Sequence, residues 1–202
     1  MAAWTRDRRL EVALLLVLAS PGLAVSPGED WYPADITPPA GTQYPCALTP
    51  LPRELPGIPS ADRRFINHTY AMILKATQTK LVLLKALQER GDRKLDAPLS
   101  AYLRTTDEAV RRIEAEPIPK GLSPFSADVV SAIRLQSAFF RRAVTARQRG
   151  TSLESIFGFP EARTASNRLL AAWSKMEHRY NGAWTPATKD SIYHHLCALD
   201  LF

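Results

Sequence analysis

The chain has 202 residues, 46% of them hydrophobic and 23% charged, an ordinary globular composition sufficient for one core. Its net charge is +6, but the basic excess is spread along the chain and reads first as a solvated surface. No GxxxxGK[ST] loop, RNA-binding aromatic motif or long Lys/Arg block is present, so nothing points to nucleotides or nucleic acid, and the charge favours an anionic small molecule or surface as partner.

The N-terminus reads as an export signal. Arg6, Arg8 and Arg9 precede the apolar run LEVALLLVLAS, and Pro21-Gly22-Leu23-Ala24 ends in small residues. The run is shorter than the ~20 residues of a membrane span and contains Glu11. Residues 1–24 are therefore expected to be a signal peptide cleaved after Ala24, leaving no transmembrane span and a secreted or periplasmic protein. Such a compartment is oxidising, and the two cysteines, Cys46 and Cys197, are an even count that suggests one bridge.

Residues 25–59 hold nine of the sixteen prolines. Proline disfavours helix at itself and at its predecessor. Trp31, Tyr32, Tyr44, Leu48, Leu51, Leu55 and Ile58 make this stretch too apolar for a free linker, and it is expected to lie along the folded body as an extended strap.

Residues 60–202 are expected to form one helical domain. Ser60 is positioned to cap a helix reaching about Arg90, with Gly91 as its stop. Ile66, Tyr70, Ile73, Thr77, Leu81 and Leu84 recur at three- and four-residue steps and draw one apolar face. A second helix starts near Asp96-Ala97-Pro98, carries Leu99, Tyr102, Leu103, Thr106, Val110 and Ile113, and ends at Pro117. A third begins around Ser126, with Val129, Ile133, Gln136, Phe140 and Val144 on one side, and stops at Gly150. Thr151 and Glu154 have capping-box spacing and open a short helix ending at Gly158. Pro160 starts the fourth long helix, whose face is Ala162, Ser166, Leu169, Trp173, Met176 and Tyr180, and Asn181-Gly182 closes it. Thr185-Pro186 caps a last short helix through Ile192, Leu196 and Leu199. No stretch alternates with period two, so the expected fold is all-α: an up-down-up-down four-helix bundle with the proline-rich strap and a short C-terminal helix.

In that topology Cys46 and Cys197 come to the same end. A bridge between them closes a loop of about 150 residues, for which the chain-entropy account allows about 5 kcal/mol. The alternative for Tyr193-His194-His195-Leu196-Cys197 is metal. His194 and Cys197 are one helical turn apart, and His68 or His178 would be needed to complete a four-ligand site. A haem clamped by Met72 and His178 is a further arrangement, but no CxxCH is present to attach one, and no cofactor is implied. No GxSxG elbow or paired-carboxylate arrangement marks a nucleophile or an acid–base pair. Asn67-His68-Thr69 is a glycosylation sequon inside a predicted helix and reads as a chance occurrence. Trp173, Tyr180, Trp184 and Tyr193 are expected to cluster, chiefly to dock the last helix.

One enzyme class needs no nucleophile. Basic and amide side chains inside a helical bundle can hold a small dicarboxylate in a reactive shape by charge and position alone. Lys80, Arg104, Arg134 and Gln136 are the residues to inspect, and Gln136 stands out because it falls on an apolar stripe and needs a partner there. In size, export and helix content the chain is similar to secreted chorismate mutases, and that likeness implies a basic pocket between helices. The family's spaced Arg, Lys and Glu pattern is not laid out along this chain. With export and helices clear and no catalytic constellation, the leading expectation is a non-catalytic binding or structural module.

Overall fold

A computed structural model describes residues 57–89, 94–180 and 182–200, without the side chains of residues 191, 194, 195, 197 and 198. The expected signal segment, nearly all of the proline-rich stretch, Cys46 and the Cys197 side chain lie outside the described residues, and so does the expected disulfide.

The described residues are all-helical, with no strand among them. The helices are α1 (Ser60–Gln88), α2 (Asp96–Ala115), α3 (Ser123–Gln148), α4 (Leu153–Phe157), α5 (Pro160–Arg179) and α6 (Pro186–Leu199). The principal packing pairs are α3 with α5, α1 with α2, and α2 with α3; α6 lies against α1 and, less extensively, α5.

Several boundaries differ from the sequence expectation, each for a local reason. Ser60 is the first helical residue rather than the cap, and α1 begins after Pro59 with no side-chain cap. Asp96 likewise is the first helical residue of α2, which has no side-chain cap, and its carboxylate accepts from Gln148 Nε2 at the far end of α3 (3.1 Å). The third helix begins one turn early, at Ser123, since Pro124 is tolerated in a first turn, where no N–H partner is required. The cap of α4 is Ser152 and not Thr151: its hydroxyl accepts from the Ser155 N–H (3.2 Å). Thr185 does what was expected of it, accepting from the Thr188 N–H ahead of Pro186 (3.2 Å).

Most residues of the expected faces are buried, with Leu84, Leu99, Ser166 and Trp173 half-buried, and α1 is buried on more than one side. Phe65, Ile66, Tyr70, Ile73 and Leu81 are joined in the interior by His68, Thr69, Met72 and Leu74. Two apolar clusters form the core. One gathers Phe65, Ile66 and Ile73 with Val110, Ile113, Phe125, Val129, Leu169 and Met176, and takes Ile192, Leu196 and Leu199 from α6. The other holds Leu83, Leu87, Tyr102, Phe139, Phe140, Ile156 and Ala162, with Phe157 and Phe159 packed against it. Its rings meet edge to face, Tyr102 on Phe140 at 4.8 Å and Phe139 on Phe140 at 5.1 Å, the geometry that ring quadrupoles favour.

Two buried acids fasten the helices together. Asp62, in the first turn of α1, accepts from the Arg179 guanidinium (2.9 Å) and from the Tyr180 hydroxyl at the end of α5. Asp128 on α3 pairs with Arg168 (3.2 Å) and Lys175 of α5. Arg179 also donates to the Lys120 carbonyl (3.1 Å), so one guanidinium joins α1, α5 and the α2–α3 turn. It passes so close to Gly121 that a Cβ there would sit 2.4 Å from Arg179 Nη1, and Gly121 has a positive φ of 91°.

Gly121→Ala is expected to cost about 1 kcal/mol for its left-handed backbone and roughly 1 kcal/mol more for displacing Arg179. Gly150→Ala serves as control, because its φ is +85° but nothing lies within 4 Å. Urea denaturation of both variants measures the difference; equal losses would show that the Arg179 contact tolerates the intrusion.

Candidate functional site

The two apolar clusters are separated by polar side chains, and each long helix supplies some of them. Lys80 and Thr77 come from α1, Thr106 from α2, Gln136 and Ser137 from α3, and Ser166 from α5. Lys80, Thr77, Thr106 and Gln136 are completely enclosed. Thr77 and Thr106 bond back to carbonyls one turn earlier, Ile73 (2.9 Å) and Tyr102 (3.0 Å). Ser137 donates to Thr106 (3.1 Å).

The remaining groups converge on the end of α6. Lys80 Nζ donates to the Asp200 carbonyl at 2.8 Å. Gln136 Nε2 donates to the Leu199 carbonyl, while its Oε1 receives the Tyr102 hydroxyl in a long contact of 3.5 Å. The Ser166 hydroxyl donates to the Asp200 carboxylate. A helix leaves its last four carbonyls without internal partners and carries partial negative charge there. Side chains of α1 and α3 supply donors to the end of α6, one of them an ammonium when Lys80 is protonated.

Burial lowers the Lys80 ammonium to a pKa of about 7, and the nearby Asp200 carboxylate partly opposes that shift. His68, outside the apolar face drawn by Ile66, Tyr70, Ile73, Thr77, Leu81 and Leu84, is also buried. Desolvation first, and Arg112 second, lower its pKa to about 4. Its Nδ1 lies 3.4 Å from Glu116 Oε1, so at neutral pH this is a contact of an uncharged imidazole and not an ion pair.

Of the four residues singled out for an anion pocket, Lys80 and Gln136 meet at the end of α6. Arg104 and Arg134 do not join them. Arg134 is on the outer surface, paired with Glu114 at 2.7 Å. Arg104 is exposed and lines a groove between α1 and α2 with Lys75, Thr79 and Glu108. Gln136 has the partners its position demanded. Of the metal set, His68 is interior and His178 is exposed, while the His194 and Cys197 side chains are outside the described residues. Among the described residues no three metal-ligating side chains group together. Met72, proposed as a haem ligand, packs in the first apolar cluster.

The aromatic cluster forms as expected. Trp173 stacks near Trp184 (6.4 Å) and meets Tyr193 edge-on (5.7 Å), fastening α6 to α5. In the Asn67-His68-Thr69 sequon the Asn67 amide oxygen and the Thr69 hydroxyl are enclosed, so the folded helix does not present it for modification. Open grooves mark the surface: about 580 Å³ beside Glu114, Val130 and Arg134, and about 620 Å³ beside Phe157, Phe159, Arg163 and Ser166.

Sequence reasoning found Lys80 and Gln136 but missed Asp200, Ser166 as a site residue, and the buried acids Asp62 and Asp128. Backbone carbonyls leave no signal in a sequence. Ser166 appeared only as a position on an apolar face, although its register with Leu169 and Ala162 marks it as a polar side chain aimed inward.

Two pH limbs follow from these environments. Between the folded Lys80 value near 7 and the unfolded value near 10.5, the unfolded chain keeps a proton that the folded chain has lost. Stability therefore rises with pH across that window, at up to about 1.4 kcal/mol per unit. Lys80→Met lacks the rise, so wild type is expected to gain about 2 kcal/mol on it between pH 7 and pH 9. On the acid side, His68 takes up a proton in the unfolded chain first, so stability is lost as pH falls from 6.5 toward about 4. His68→Phe is expected to flatten that limb. Denaturation midpoints across pH measure both; variant curves parallel to wild type would contradict the two assignments.

Comparison with known proteins finds no match: no family model, no curated protein and no solved structure is significantly similar to this chain.

Proposed function

We propose that this chain is an exported, helical binding or structural module without catalytic chemistry of its own. The observation that carries the reading is the fate of its interior polar groups. Lys80, Gln136 and Ser166 are directed to the chain's own Leu199 and Asp200 instead of surrounding an open cavity. The two arginines that an anion-clamping enzyme would recruit are exposed, Arg134 already paired with Glu114. Among the described residues the grooves are open surface features, and no helix is long and apolar enough to cross a membrane.

In this reading the four long helices alternate in direction as an up-down-up-down bundle within residues 60–202. The core composition supports this. Along α1 and α3, residues of the first cluster precede those of the second; along α2 and α5 the order reverses. Residues 1–24 are the export signal and residues 25–59 the strap. Cys46 joins Cys197 outside the described side chains.

A second reading, a small-molecule enzyme with a basic pocket, draws on one observation: an enclosed ammonium, an amide and a hydroxyl already converge inside the helices. Thermal melts of the full wild-type chain with millimolar malonate, succinate or citrate separate the two. The module reading expects midpoints unchanged to within about 1 °C, against the several degrees a saturating specific ligand gives. A rise of several degrees that Lys80→Met abolishes, accompanied by chemical conversion of that ligand, would overturn it in favour of the enzyme.

A further inference from the structure

The clamp at the end of α6 holds more charge than a helix end requires. Gln136 satisfies the Leu199 carbonyl with a neutral amide. Lys80 meets the next carbonyl with a fully buried ammonium, whose desolvation is far more costly than that of an amide. A neutral donor would serve the carbonyl; a cation is matched to an anion. The anion present belongs to the same residue whose carbonyl Lys80 meets at 2.8 Å: the Asp200 side chain accepts from the Ser166 hydroxyl, and its charge opposes the effect of burial on Lys80.

We propose that Lys80 and Ser166 form a carboxylate-binding site that the chain occupies in cis with Asp200, and that the site accepts a small exogenous carboxylate once that side chain is withdrawn. The inference rests on the binding-module reading and gives it a ligand class. The receptor half is rigid, because its side chains stand on two long helices, α1 and α5. The occupying half is not built into a helix: Asp200 follows the last helical residue of α6 and is only half-buried, so its departure unwinds nothing. An approach also exists. Ser166 lines the groove of about 620 Å³ at the start of α5, where Phe157 and Phe159 form apolar walls and Arg163 stands beside them. A monocarboxylate with an apolar body fits that combination: its body lies on the rings, Arg163 favours its charge, and its carboxylate takes over the Ser166 hydroxyl that Asp200 now holds, in reach of the Lys80 charge.

The test is chemical rescue in the full chain. Asp200→Ala removes the internal carboxylate and leaves the receptor intact. Its melting midpoint is measured in sodium acetate and in sodium chloride at equal ionic strength, beside wild type and the Lys80→Met/Asp200→Ala double variant. The expected result is an acetate-specific rise of roughly 3–6 °C in Asp200→Ala, absent from wild type, whose site is filled, and from the double variant, which lacks the cation. If Asp200→Ala does not fold, Asp200→Ser, which keeps a hydroxyl partner for Ser166, carries the same comparison. Asp200→Ala responding no more than wild type, or the double variant responding equally, would overturn the proposal. A flat Asp200→Ala beside a wild type that ignores all carboxylates removes only this inference, whereas conversion of a bound carboxylate by wild type, abolished by Lys80→Met, removes the module reading.

Discussion

The structure turns on a single meeting point, where the last turn of α6 enters the interior and is received by side chains from α1, α3 and α5. A lysine and a glutamine donate to two successive carbonyls, a serine donates to the adjoining carboxylate, and Tyr102 of α2 backs the glutamine. An unsatisfied buried carbonyl or an unpaired buried ammonium each costs several kcal/mol, so neither side of this contact is stable without the other. Among its described side chains, α6 contributes Ile192, Leu196 and Leu199 to the first apolar cluster and none to the second. It stops at the polar layer because that is where its carbonyls find donors.

This dependence also orders the molecule. The long helices bury apolar faces against sequence neighbours and build most of their contacts locally. The receptor for α6 exists only when residues as distant as Lys80, Gln136 and Ser166 have been brought together. α6 is therefore the element whose docking reports on the completed body. Its second attachment, the Trp173, Trp184 and Tyr193 cluster, aligns the helix along α5 but does not satisfy its end. The Asp62 and Asp128 fastenings act on different pairs, α1 with α5 and α3 with α5, so the body and its last helix are secured by separate groups.

The helices were legible because their apolar residues recur with the period of a helix and because glycine and proline mark the joints. Gly150 and Gly158 end helices where the sequence placed the stops, and Pro160 and Pro186 begin them. The caps were less legible, since a residue such as Asp96 can spend its carboxylate on another helix. The single-face reading of α1 failed at His68 because that helix is covered on several sides, where periodicity no longer separates inside from outside. Gln136 was visible as a polar residue on an apolar stripe. Its partner was not, because the group it seeks is a backbone carbonyl more than sixty positions away, and every residue type offers one.

The polar layer also fixes the phase of the helices. Apolar surfaces made of Leu, Val, Ile and Phe tolerate sliding, since one methyl-bearing side chain replaces another at little cost. A one-turn slip moves a helix about 5.4 Å along its axis. For α1 that shift would carry the Lys80 ammonium away from Asp200 and in among the leucines and phenylalanines on either side. The layer thus acts as a vernier. It adds little net stability, but it leaves one axial alignment in which every enclosed donor has an acceptor.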